Sequence, residues 1–391
     1  MTGLPSNPDP QATTRTAGTA IATAIALAVL LLVDLIAVVV LPRPITLRGP
    51  GALADVIPEL QHFVEHARGL RFHHNVDIRL SNDLGALNTG LSEGTGAGAA
   101  DAAASQSAVL RALGMVDERY NEKAAAQSLN SQVLGVYQPR THRLMVRPGP
   151  ITARLRITLV HELTHALDGE HHQLVRKTKS IRPDESGTSF RALAEGDAMW
   201  VESRYRATLS AADQAGATAA DGPAPTGIPD ALLLLAAYPY AAGRAFIEEL
   251  VKQDGTDAVD RAFDHPPITS EQILHVDRYL GHDRPRVVVK PVPEGRVVQR
   301  GVFGELLLRL MLSRSLGADP ARRAGTGWGG GRYVAWRSGT SVCVRGTLVM
   351  DTAADTDELV AALRQWATSR PRARVTPSPG RSVMFDNCVD A

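Results

Sequence analysis

Residues 160–172 read VHELTHALDGEHH, and this stretch decides how the rest of the chain is read. Leu155, Leu159, Leu163 and Leu167 recur every four positions, which predicts an amphipathic helix over 152–168. On such a helix, residues four apart lie on one face, one turn above each other. His161 and His165 therefore hold two imidazoles over one point, and Glu162 projects at a neighbouring angle. This is H-E-x-x-H, a zinc signature in which the histidines ligate and the glutamate reaches a water. Two imidazoles do not complete a catalytic zinc site, which takes three protein ligands.

Two residues compete for the third place. His171 stands at the last position of H-E-x-x-H-x-x-G-x-x-H. That pattern needs a glycine where the helix ends and the chain turns back, but Asp168 occupies the position and Gly169 comes one residue late. No Met-turn follows, because Met199 sits in a stretch that reads as helix. Glu195, in FRALAEGDAMWVESRY (190–205), is the better candidate. A second helix packed beside the first would bury Glu195 between Leu193 and Ala198, where a carboxylate needs a partner or a metal. Two histidines and a glutamate form a known catalytic zinc set. Glu202, seven residues further on, shares roughly the same face as a supporting group or alternative ligand. The residues thus predict Zn2+ held by His161, His165 and Glu195, with Glu162 as general base. A second match, HFVEH at 62–66, fits the inverted motif H-x-x-E-H. No strand prepares it and no acidic helix follows closely, so it reads as a solvated amphipathic helix.

Composition sets the frame. The chain has 391 residues, 44% of them hydrophobic, enough for one large domain or two ordinary ones. A net charge of +1 leaves no electrostatic footprint for nucleic acid. Cys343 and Cys388 are the only cysteines, and no C-x-x-C pair offers a thiolate zinc site. They predict one disulfide if this part of the chain sits outside the cytoplasm. Residues 19–41, TAIATAIALAVLLLVDLIAVVVL, form an apolar run broken only by Asp34. Its fourteen Leu, Ile and Val residues outweigh a central Asp that costs roughly 2.5–3.5 kcal/mol. The run is long for a signal peptide and lacks a small-x-small cleavage site, so an uncleaved transmembrane helix is expected. Arg15, Arg43 and Arg48 code orientation weakly. The long C-terminal part and the cysteine pair favour a cell-membrane protein with its catalytic domain extracytoplasmic.

The expected organisation is a disordered tail at 1–18, the transmembrane helix at 19–41, and a juxtamembrane linker, helix and low-complexity loop over 42–129. A catalytic domain follows at 130–327, and a C-terminal α/β segment with a disulfide at 328–391. Within these, VLGVYQPRTHRLMV (133–146) predicts a hairpin. Ser189 is expected to cap the second helix, 211–229 to be a loop, and a third helix over 230–252 to bend at Pro239. Strands are expected from 328 onwards and at Ser382–Phe385, with a helix at 355–368.

The motifs together resemble a group of bacterial metallopeptidases of the gluzincin type. LVHELTHALDGEHH and RALAEGDAMWVE carry the resemblance, with the 133–146 hairpin ahead of them. The helical section from Tyr238 to Leu280, including PPITSEQILH (266–275), and GWGGGRYVAW (327–336) extend it over about 130–340. Gly331 stands where that group has an acidic residue, and Met199 where thermolysin-type gluzincins have an aspartate. The resemblance implies an α+β zincin-like domain in which a small sheet precedes the active-site helix. It implies thermolysin-like roles for His161, Glu162, His165 and Glu195. It also carries over Tyr240 to stabilise the oxyanion, and His275 for the same task or as proton donor. Each has a plainer reading as a hydrogen-bonded core residue. The expected activity is hydrolysis of peptide bonds, with Leu144–Val146 as the edge strand that pairs with an extended substrate. The alternatives are a non-catalytic binding module of the cell envelope, or a zinc hydrolase acting on a non-peptide amide.

Overall fold

A computed structural model of the chain describes residues 53–82, 107–118, 120, 134–138, 141–174, 177, 184–219 and 227–390. Helix α1 spans Leu53–Arg68, β1 Asp77–Leu80, β2 Gly135–Gln138 and β3 Arg143–Val146. Helix α2, Ala153–His172, carries the signature. Thr152 caps it by accepting from Leu155 N at 3.2 Å. It ends where Gln173 turns left-handed, with φ 53°. Leu159, Leu163 and Leu167 are fully buried, each worth about 1.5–3 kcal/mol.

Helix α3 spans Glu185–Thr208, α4 Ala211–Ala219 and α5 Asp230–Asp264. Asp184, not Ser189, caps α3, accepting from Ser186 N at 3.2 Å. Ser189 lies one turn inside and bonds back to Glu185 O at 2.8 Å. Residues 211–219, expected as loop, are helical. Helix α5 runs through Pro239 without interruption and breaks instead at Asp254–Gly255, where Gly255 takes φ 61°. Helices α3 and α5 meet backbone to backbone. A β-carbon on Gly196 would collide with the Gly243 carbonyl group, and one on Gly243 with Ala192 O.

The first sheet has the order β1-β3-β2, with β1 parallel and β2 antiparallel to β3. Leu144–Val146 in β3 is therefore the middle strand and not the edge, because β1 covers its other side. Strand β2 is the edge that faces α2, and Tyr137 N donates to Glu162 Oε2 at 2.7 Å.

Two short helices, α6 (Ser270–Leu274) and α7 (Val276–Leu280), lead to a second unit. It comprises β4 (Arg296–Val302), α8 (Glu305–Leu316), α9 (Ala318–Gly325), β5 (Trp328–Ser338), β6 (Ser341–Met350), α10 (Ala353–Ala367), β7 (Arg374–Ser378) and β8 (Ser382–Asp390). Its sheet is antiparallel in the order β4-β5-β6-β8-β7. The sheet thus begins well before 328. It also recruits residues 107–116. Leu113 O accepts from Trp366 Nε1 at 3.0 Å, and Ala112 O from Asn387 Nδ2 at 2.7 Å. Gly331 sits where a β-carbon would strike Phe303 O, which explains glycine at that position. Trp328, Phe303, Trp366 and Phe385 fill the core on one side of the sheet. Trp336, Val334 and Cys343 form a smaller cluster, and Cys343 is bonded to its register partner Cys388.

One expectation about fold class is corrected. The described fold is mixed helix and sheet without a membrane helix. Among the described residues no helix is long and apolar enough to cross a membrane. The physical reason is charge: α2 carries Arg154, Arg156, Glu162, Asp168 and Glu170, and α3 carries Glu195, Asp197, Glu202, Arg204 and Arg206. The expected tail at 1–18 and span at 19–41 lie outside the described residues, as does all of the low-complexity loop expected at 84–107 except Ser107, which is helical.

Candidate metal centre

Helices α2 and α3 pack side by side, and the backbone contact of α3 with α5 fixes the third wall. His161 Nε2 lies 3.2 Å from Glu195 Oε2, His165 Nε2 3.3 Å from the same oxygen, and the two Nε2 atoms are 3.2 Å apart. Hydrogen bonds account poorly for this near-equilateral triangle, since with both Nε2 atoms donating to Glu195 the third edge sets two N–H groups against each other. Zinc bonds of ~2.0–2.2 Å in a tetrahedron give ligand edges of about 3.3–3.5 Å. Among the described residues, these three side chains are the one group of His, Cys, Asp or Glu whose ligand atoms already converge on a single point. They therefore fit a small tetrahedral cation. His171 does not join them: its Nε2 lies 2.8 Å from Arg71 O.

The electrostatics ask for positive charge at the same point. Burial works to raise the Glu195 carboxyl, but His165 and His161 hold it far below the usual range. Burial works to lower His161, yet hydrogen bonds to Glu195 and Glu202 push it well above the ordinary value. Glu162 is raised by burial, against the pull of His161, His165 and the Tyr137 amide.

Glu202 has a definite place. Its Oε2 lies 3.2 Å from His161 Nδ1, and its Oε1 accepts from Arg206 Nε at 3.0 Å. With a proton on Nδ1, His161 turns the lone pair of Nε2 into the triangle. This is the support that Met199 does not give.

Tyr240, three residues before Gly243 on α5, has its ring centroid 6.2 Å from that of His161. Its hydroxyl is pushed up by burial first, then by the Glu195 charge, with Arg191 opposing. Arg191 went unnoticed in the sequence. It lies one turn before Glu195 on α3, and its charge acts on both Glu195 and Tyr240. The i, i+4 spacing from Glu195 was the available signal.

His275 is elsewhere. Its Nε2 lies 3.1 Å from Glu305 Oε1 and 3.0 Å from Arg309 Nη2, at the junction with the sheet unit. The PPITSEQILH motif builds that junction: Thr269 caps α6, Ser270 bonds Glu185 through both N and Oγ, and Ser270 Oγ accepts from Leu306 N at 3.0 Å. His62 and His66 do not form a zinc pair. Both are exposed, and Glu65 is held by Arg71 Nη1 and Phe72 N, each at 2.9 Å.

No curated protein and no solved structure matches the chain. A family model described as a domain of unknown function (DUF8575) matches residues 290–387, about a quarter of the chain, and this stretch is the sheet unit rather than the histidine cluster.

Proposed function

We propose that the chain is a zinc-dependent hydrolase of peptide bonds. The observation that carries the reading is the triangle of His161, His165 and Glu195, with Glu162 beside it on α2. Zinc held there would supply a Lewis acid and a water acidic enough to lose its proton near neutral pH. The chain's own residues do the rest. Glu162 accepts the proton and returns it to the leaving amine. Its Oε2 is fixed by the Tyr137 amide, so Oε1 is the oxygen for exchange. Tyr240, held neutral, donates to the oxygen on which charge develops, and Arg191 adds a positive field from the same wall. The Cys343–Cys388 disulfide supports folding in an oxidising compartment.

A second reading, a zinc-stabilised binding module without chemistry, is favoured by the Glu162–Tyr137 bond, which occupies one oxygen of the base. The test uses the full chain. The expected result is about one zinc per chain, hydrolysis of a mixed peptide library, and loss of that hydrolysis by ~10²–10⁴-fold in Glu162→Gln with zinc content unchanged. Zinc without hydrolysis of peptides in the wild type would overturn the first reading. No uptake of added zinc would overturn both.

A further inference from the structure

Helix α2 ends in GEHH (169–172), and the loop after α1 reads FHHN (72–75). The fold lays one over the other. Glu170 accepts from His73 N at 2.6 Å, which fixes the loop on the carboxylate. Its Oε2 lies 3.9 Å from His73 Nδ1, and its Oε1 lies 3.6 Å from His74 Nδ1. One carboxylate thus turns an oxygen to each of two imidazoles. His171 flanks them, its ring centroid 4.5 Å from that of His73. Its own orientation is set by the contact of Nε2 with Arg71 O. His62 and Glu65 line the adjoining cleft of ~420 Å³ together with His73 and His74.

Burial divides the cluster into an anchor and arms. The Glu170 side chain is 7% exposed, whereas His73 and His74 are 57% and 82% exposed. The carboxylate is therefore pre-placed, and the imidazoles can swing toward it without loss of packing. The cluster is more open than the inner triangle, with the ring centroids of His73 and His74 6.5 Å apart, so both exposed imidazoles must rotate about Glu170 to meet one ion. The C-terminal end of α2 points its negative dipole end at the same spot, which favours a cation. Imidazole with carboxylate suits borderline divalent ions such as Zn2+, Ni2+ and Cu2+ rather than Mg2+ or Ca2+.

We propose that His73, His74 and Glu170 form a second, solvent-facing site for a divalent transition-metal ion, with His171 alongside. It stands five residues beyond His165 on the same helix, ~7.5 Å along its axis, and shares no ligand with the inner triangle. The proposal does not depend on the hydrolase reading.

The test is isothermal titration of the full chain with Ni2+ alone, in a Glu195→Ala background that disables the inner triangle. His165→Ala serves instead if that variant does not fold. One Ni2+ per chain is expected. Adding His73→Ala and His74→Ala together should weaken it at least tenfold, as should Glu170→Gln. His66→Ala, an exposed histidine on α1 outside the cluster, should leave it unchanged. Circular dichroism of the His73/His74 variant should match its parent, since both side chains are at the surface. Cu2+ in the same site should give nitrogen splittings in its electron paramagnetic resonance spectrum. Absence of Ni2+ uptake, or uptake indifferent to His73 and His74, would overturn the site.

Discussion

The helical half and the sheet unit bury different things. Beneath α1, α2, α3 and α5 the interior holds charge. Arg68 is 1% exposed and donates to Asp197 and Asp260, each at 2.7 Å. Burial works to strip the Arg68 proton, but Asp197, Asp168 and Asp260 together hold it more tightly than usual. Asp168, also fully buried, is driven well above the carboxylate range by burial and then by Asp197. The sheet unit instead closes over Trp328, Trp366, Phe303 and Phe385. Each buried ion costs several kcal/mol before its partners offset the loss, and apolar replacements are often no worse. Buried charge beside the triangle of His161, His165 and Glu195 is what the proposed chemistry would need. The sheet unit buries one carboxylate, Glu305, at its junction with the helical half, and aromatic packing closes the rest.

The division makes measurable claims. Trp366→Ala should cost about 3–5 kcal/mol in stability, by chemical denaturation, because it empties a fully buried site and orphans Leu113 O. Zinc affinity should not follow; if it did, the two regions would not be separable. Next comes the disulfide. Replacing Cys343 and Cys388 by serine should lower stability by roughly 2–4 kcal/mol, since the bond spans 45 residues of sequence. Mass spectrometry of the alkylated native protein should find no free thiol. In the other direction, Glu202→Gln should weaken zinc about 10–100-fold in competition with a chelator, through the His161 tautomer. Its denaturation midpoint should barely move, and a large shift would make Glu202 a stabilising group first.

The smallest effect lies at the junction of the two units. The Glu185 carboxyl is pushed up from 4.5 to about 7 by burial, although Ser270 pulls it down. The folded chain then binds a proton that the unfolded chain has released. Stability from this group is whole below about pH 4.5 and is lost as pH rises to about 7. Glu185→Gln should flatten that fall by roughly 1–3 kcal/mol. An unchanged slope between pH 5 and 7 would place the titration elsewhere.

Local signals in the sequence were read well where a period or a spacing encoded them. The four-residue rhythm of Leu155 to Leu167 foretold α2, and i, i+4 geometry foretold the pairing of His161 with His165. What failed was non-local. Nothing near Leu144 announces that β1 pairs beside it, 66 residues earlier in register. Nothing near Leu113 announces Trp366. His275 was placed by its motif, but it serves the α6 junction, because Glu305 and Arg309 arrive there from α8. Residues 211–219, AADQAGATA, were read as loop on their Gly and neighbouring Pro content, although alanine is the best helix former. Pro239 was expected to bend α5, yet the bend fell at Gly255, which takes a positive φ without strain.

The meeting of Gly196 with Gly243 has a consequence for precision. A contact between two side chains has play in it, because rotamers shift and neighbours repack. Peptide plane against peptide plane has almost none. Glu195 precedes one of these glycines by one residue, and Tyr240 the other by three. Their separation is therefore machined into the main chain, and thermal noise in the surrounding side chains is not passed on to it. The same rigidity leaves no room for gradual adjustment: a single methyl group at either glycine would move both walls of the site at once.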